Sequence, residues 1–140
     1  MKGSPLSDAL DMTFDEVVSL VGGGGKTTAM FRLAREMVEK GGTAITTTTT
    51  KIFAAQIALA PAHVPAADAT RDCVSAALAS HRNVLVIGPN DPSTGKADGV
   101  SLQLFRDLRA WFPGACMLNE ADGYRMRPFK APAGHEPVIP

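Results

Sequence analysis

Four consecutive glycines, Gly22-Gly23-Gly24-Gly25, stand between the apolar run Val17-Val18-Ser19-Leu20-Val21 and Lys26-Thr27-Thr28, which leads into an amphipathic stretch from Ala29 to Lys40. Each glycine carries an entropic cost of roughly 0.5–1 kcal/mol relative to alanine, and an ordinary turn needs only one or two. A strand, a glycine loop and a helix in that order form the geometry of a phosphate-binding loop. Backbone N–H groups without side chains in the way converge on an anion, and the helix N-terminus adds partial positive charge in the same direction. Gly22 through Thr28 are therefore the candidate nucleotide-binding segment. Within it, Lys26 reaches the β- and γ-phosphates as a catalytic cation, and the Thr27 hydroxyl ligates Mg²⁺.

The loop departs from two common patterns. G-x-x-x-x-G-K-[ST] asks for glycine where this chain has Leu20, and K-G-G-x-G-K-[ST] asks for a second lysine where it has Val21. No extra charge is therefore on offer to a neighbouring subunit's nucleotide. Fourteen basic and fourteen acidic residues cancel, so there is no electrostatic footprint for nucleic acid or for an acidic membrane. No apolar run is long enough to cross a bilayer, which places the expected location in the cytoplasm. Cys73 and Cys116 lack a C-x-x-C partner and read as two buried free thiols.

The 140 residues suffice for one domain with a real core. Pro5 to Glu16 reads as a short helix or capping segment, with Ser7 as N-cap and Leu6 and Leu10 on one face. Met30, Leu33, Ala34, Met37 and Val38 form one helix face, and Gly41-Gly42 ends that helix. Ile52 to Leu59 continues as a helical run, and Ala60 to Ala67, with Pro61 and Pro65, reads as a surface connection. Thr70 caps a helix from Arg71 to Ser80, and Asn83 to Gly88 is a buried strand. Pro89 to Gly99 is an exposed hairpin or loop. Val100 to Trp111 is a helix that partly buries Leu102, Leu104, Phe105 and Leu108.

Two further stretches carry candidate chemistry. Thr43 to Lys51 is a β-branched strand running into hydroxyls, and buried hydroxyls need partners. At the carboxyl end of a parallel strand, Thr49 and Lys51 face the nucleotide or a second substrate. Ala115 to Asn119 is the last clear strand, tipped by Glu120-Ala121-Asp122-Gly123. A carboxylate in that place beside a phosphate loop holds the Mg²⁺ hydration shell or orients water, so Glu120 and Asp122 are both metal and catalytic candidates. The closing segment is rich in proline and basic residues. It offers Arg125, Lys130 and His135 as clamps for a phosphate or another anion.

Val21 to Thr28, the threonine run to Lys51, Glu120-Ala121-Asp122-Gly123, Pro128-Phe129-Lys130-Ala131-Pro132 and His135-Glu136-Pro137-Val138-Ile139-Pro140 together resemble the YqeC family. The resemblance covers residues 17–140, and the last block is its most specific part. It implies a P-loop nucleotide-binding fold and an accessory role in maturing selenium-dependent molybdenum hydroxylases, with the hydroxylase or its cofactor as a partner. Two positions depart from the family pattern: Tyr124 stands where a small residue follows E-A-D-G, and Gly134 replaces the first acid of A-E-H-E-P. Members of the family are longer. A four-strand sheet is thin for such a fold, which leaves open a short member completed by a partner or a homodimer, or a piece of a longer protein.

The expectation is thus a single three-layer α/β domain of P-loop NTPase type with a mainly parallel sheet. It binds Mg²⁺ with ATP or GTP and hydrolyses the nucleotide or transfers its phosphoryl group. The alternatives are a small-molecule kinase and a nucleotide-gated module that holds a cofactor or partner without turnover. The sequence does not choose between ATP and GTP.

Overall fold

In the computed structural model, which describes residues 5–121, three strands have every residue buried: β2 (Ala44–Thr48), β5 (Asn83–Ile87) and β8 (Cys116–Glu120). A strand buried on both faces belongs inside a parallel sheet covered by helices on each side. With β1 (Val17–Leu20) and β4 (His63–Pro65) they form a five-stranded sheet in the order β1-β8-β2-β5-β4, and every pair in it is parallel. A second, antiparallel sheet joins β3 (Ile52–Phe53), β7 (Lys96–Ala97) and β6 (Asn90–Asp91) in the order β3-β7-β6.

The period-two alternation of strand side chains assigns each helix to a face. Ala44, Leu85, Ile87, Cys116 and Leu118 pack with Met30, Leu33, Ala34 and Met37 of α2 (Lys26–Glu39), and Leu6 of α1 (Leu6–Ala9) joins them. Ile45, Val84, Val86 and Met117 pack on the opposite side with Val74 and Leu78 of α3 (Arg71–His81) and Phe105 and Leu108 of α4 (Leu102–Trp111). The result is the expected three-layer α/β arrangement, with two cores separated by one sheet.

Several local signals act as the sequence suggests. Gly41 takes a φ of +100°, and the Gly42 N–H donates to the Met37 carbonyl at 3.0 Å, closing α2. The Thr70 hydroxyl accepts from the Cys73 amide at 3.2 Å, capping α3. The 90–97 hairpin forms where turn residues crowd, and Gly99 behind it lies so close to the Thr48–Thr50 backbone that an added Cβ would sit 2.7 Å from the Thr48 carbonyl oxygen. The hairpin thus braces the threonine loop.

Other expectations are corrected. The sheet has five strands, not four, because His63–Pro65 pairs with β5 instead of crossing the surface as a loop. Pro65 is compatible with that place because an edge strand has one side without a ladder to interrupt. Ile52–Leu59 is not a helical run; it is β3 followed by a 3₁₀ turn (Ala54–Leu59), with Ile52 drawn into the α2-side core. Leu102 is exposed at the start of α4, and Cys73 is exposed on the outer face of α3. Cys116 is buried as expected, and burial, with Glu16 nearby, pushes its thiol up to about 11, so it is inert.

The first helix is a single turn, and Ser7 is not its N-cap. Instead, the Glu36 carboxylate reaches over from α2 and accepts from the Leu6 amide at 3.1 Å and the Ser7 amide at 2.7 Å, while Arg32 donates to it at 2.9 Å. Burial pushes the Glu36 pKa upward, but the bonds from Ser7, Arg32 and Leu6 outweigh it and hold it at about 2. A depressed carboxylate adds stability that is complete above its unfolded value of 4.5 and is lost as pH falls towards about 2. Glu36→Gln is therefore expected to cost roughly 2 kcal/mol at neutral pH and to flatten the acid limb of stability. Urea unfolding of both proteins between about pH 6 and pH 2 checks this; parallel acid limbs would remove Glu36 as the staple.

Candidate functional site

Parallel pairing brings the carboxyl ends of three neighbouring strands level, with Leu20 of β1 opposite Glu120 of β8, and Glu120 opposite Thr48 of β2. In open α/β sheets this end, where successive crossovers diverge, is the natural ligand crevice. Leaving β1, the chain turns at Gly22 with a φ of +114° and enters α2 through Gly25 with a φ of +81°. Both values lie in the region that L side chains rarely adopt. A Cβ added at either position would meet no atom within 4 Å, so it is backbone conformation, with open space beside it, that selects glycine there.

The first two residues of α2 point inward. The Lys26 ammonium is buried and donates to the Gly22 carbonyl at 2.6 Å, drawing the loop closed around its own side chain. The Thr27 hydroxyl donates to the Glu120 carboxylate at 2.6 Å across a separation of 93 residues. Thr27 and Glu120 are 8% and 5% exposed, so this bond is shielded from water. Thr28 is exposed one position on, at the start of the helix.

Glu120 is held from both sides. The Ala121 amide donates to the Leu20 carbonyl at 3.0 Å, while the Thr49 amide and the Thr48 hydroxyl each donate to the Glu120 carbonyl at 3.0 Å. The threonine run thus divides its labour. Thr47 binds the Val86 carbonyl at 2.9 Å inside the sheet, Thr48 fixes the acid's backbone, and Thr49 and Thr50 emerge half-buried at the crevice. Lys51 pairs with Asp98 at 3.1 Å, both being well exposed. Such a pair is weak enough to be exchanged for an anionic ligand.

Two residues that the sequence pattern does not single out belong to this end of the sheet. Thr48 reads there only as part of a polar run, yet it anchors Glu120. Asn119 is fully buried, with its amide nitrogen 3.4 Å from the Thr49 hydroxyl and 3.5 Å from the Ser19 hydroxyl and its oxygen unpartnered among the described residues. A fully buried amide at a strand's carboxyl end is the signal that points to it. Asp122, Arg125, Lys130 and His135 lie outside the described residues.

The donor set suits a hard divalent cation. Thr27, while donating its hydrogen bond to Glu120, keeps lone pairs on its oxygen, and Mg²⁺ takes one or two protein oxygens together with phosphate oxygens and waters. Thr27 and Glu120 are the residues that would hold it. Among the described residues no cluster of three or more His, Cys, Asp or Glu side chains exists to bind a metal by itself. No helix among them is long and apolar enough to cross a membrane.

A family model described as YqeC protein matches residues 18–140. The protein named "Uncharacterized protein YqeC" of Escherichia coli (strain K12) is 33% identical over 129 residues, covering 89% of this chain and 47% of that protein. The chain thus spans about half the length of the curated relative it matches. No solved structure matches.

Proposed function

The chain belongs to the YqeC family, and from that premise we propose that it binds a nucleoside triphosphate with Mg²⁺ at Gly22–Thr28 and acts by hydrolysis or phosphoryl transfer. The observation that carries this reading is the buried 2.6 Å bond between Thr27, in the first turn of α2, and Glu120, at the tip of the neighbouring strand β8. Glu120 sets a carboxylate against the first turn of α2, where the adjoining glycines leave open space. A phosphate-and-magnesium site needs both.

In this reading the loop amides and the α2 N-terminus hold the phosphate chain, and Lys26 exchanges the Gly22 carbonyl for phosphate oxygens. Thr27 and Glu120 hold the metal, which when bound neutralises charge on the transferring phosphoryl group. Thr48 and the Thr49 amide keep Glu120 at its station. Asp122 takes the role of second acid, and Lys51, Arg125, Lys130 and His135 those of anion clamps. Service to a selenium-dependent molybdenum hydroxylase or its cofactor rests on the family resemblance.

Titrating the purified chain calorimetrically with ATP and with GTP, each with and without Mg²⁺, tests the reading. Saturable heat for at least one nucleotide, strengthened about tenfold or more by Mg²⁺, is the expected result. No heat with either nucleotide would end it. Binding followed by phosphate release identifies an NTPase, release only with a second substrate a kinase, and binding without release a nucleotide-gated module.

A further inference from the structure

On the face of the main sheet away from α2, the carboxyl ends of three neighbouring strands meet at one side-chain amide. Asn119 of β8 lies opposite Ser19 of β1 and Thr47 of β2, and alternation puts Thr49 on that same face. The Asn119 amide nitrogen stands 3.5 Å from the Ser19 hydroxyl and 3.4 Å from the Thr49 hydroxyl, both beyond the usual range of an N–H···O bond. Its oxygen has no partner among the described residues, and with the residue 0% exposed no solvent reaches it either. A buried amide in that state destabilises the fold, whereas an apolar side chain of the same outline carries no such penalty. Unsatisfied groups of this kind gather at ligand clamps and switch regions.

Each member of the cluster is a short step from a part of the nucleotide site. Ser19 precedes the loop that begins at Gly22, Asn119 is joined to Glu120, and Thr49 leads into Thr50 and Lys51. Both hydroxyls can donate as well as accept, so a small shift of either strand end gives the Asn119 oxygen a donor. We propose that Asn119 is a positioning residue whose amide becomes fully bonded only when Mg²⁺-nucleotide occupies Gly22–Thr28, and that this clasp then fixes residues 49–51 for an anionic second substrate. The inference rests on the reading of the glycine loop as a triphosphate site. Closure of that loop on phosphate moves the end of β1, the metal holds the tip of β8, and the two shifts meet at Asn119. The bonds gained there favour the clasped state when nucleotide is bound, so the nucleotide binds first and the second substrate after it.

Heteronuclear NMR of the full chain tests this, with ATP and GTP as probes, each with Mg²⁺. On saturation with a nucleotide that binds, the side-chain N–H and Cγ resonances of Asn119 are expected to move downfield as both ends of the amide gain partners. Exchange at the Lys51 amide is expected to slow about tenfold or more. Asn119→Leu should hold nucleotide-free stability at or above that of the wild type, weaken Mg²⁺-nucleotide binding about tenfold and abolish the slowing at Lys51. Ser19→Ala, which touches neither the phosphate nor the metal contacts, should also weaken binding and add nothing in the Asn119→Leu background. No binding of either nucleotide by the wild type ends the reading of the loop and this inference with it. Binding that leaves the Asn119 resonances in place, or that both variants leave at wild-type strength, overturns the inference alone. So does a Ser19→Ala protein that loses equal stability with and without nucleotide, which marks the cluster as a bond of the resting fold.

Discussion

Lys26→Ala is expected to abolish detectable triphosphate binding, weakening it at least about a hundredfold, while the protein still unfolds cooperatively. The ammonium is buried at the mouth of the glycine loop and has its bond to the Gly22 carbonyl at 2.6 Å. Its removal takes away a cation that a polyphosphate would otherwise meet in a site shielded from solvent, where a charge acts more strongly than in water. The fold should tolerate the change. Alanine favours the first turn of α2 at least as well as lysine does, and the lost bond to a neutral carbonyl is worth only about 1–2 kcal/mol. Lys26→Arg keeps the charge but replaces a compact ammonium by a planar fork, and should recover part of the affinity. Calorimetry with Mg²⁺-nucleotide, alongside thermal unfolding, separates loss of the site from loss of the fold. Wild-type affinity in a folded Lys26→Ala protein would remove the phosphate-site assignment.

What is legible in the sequence is local. Gly22 and Gly25 announce themselves as part of a run of four glycines, more than an ordinary turn needs, and the apolar spacing of Met30, Leu33 and Met37 fixes the inner face of α2 within four residues of its own sequence. The buried strands are legible for the same reason, since Val84 to Ile87 and Cys116 to Leu118 are apolar on both faces. What escapes depends on partners far along the chain. β4 has two prolines in or beside it and becomes a strand only because β5 supplies a ladder. Glu36 looks like any solvated helix acid until α1, about thirty residues earlier, places two amides against it. Thr48 gains its role from Glu120, 72 residues away. Glu120 itself can be nominated from its strand-tip position, but the hydroxyl it meets becomes clear only once β1 and β8 are neighbours.

That pairing of Thr27 with Glu120 makes the second large expectation one of coupling as well as loss. Glu120→Gln leaves an oxygen to accept the Thr27 hydroxyl but removes the negative charge, so the local hydrogen bond survives while the attraction for a dication does not. Thr27→Ala removes the hydroxyl and leaves the carboxylate. Each change alone is expected to erase the strengthening of nucleotide binding by Mg²⁺ and to slow any turnover by about a hundredfold. The double variant should be no worse than either single one, because both residues serve one ion. Binding without Mg²⁺ should stay within about threefold of wild type in all three, since loop amides and Lys26 remain. The measurement is a double-mutant cycle of calorimetric affinities with and without Mg²⁺. Losses that simply add, or that are equal with and without the metal, would mean that Thr27 and Glu120 shape the loop independently and hold no ion between them.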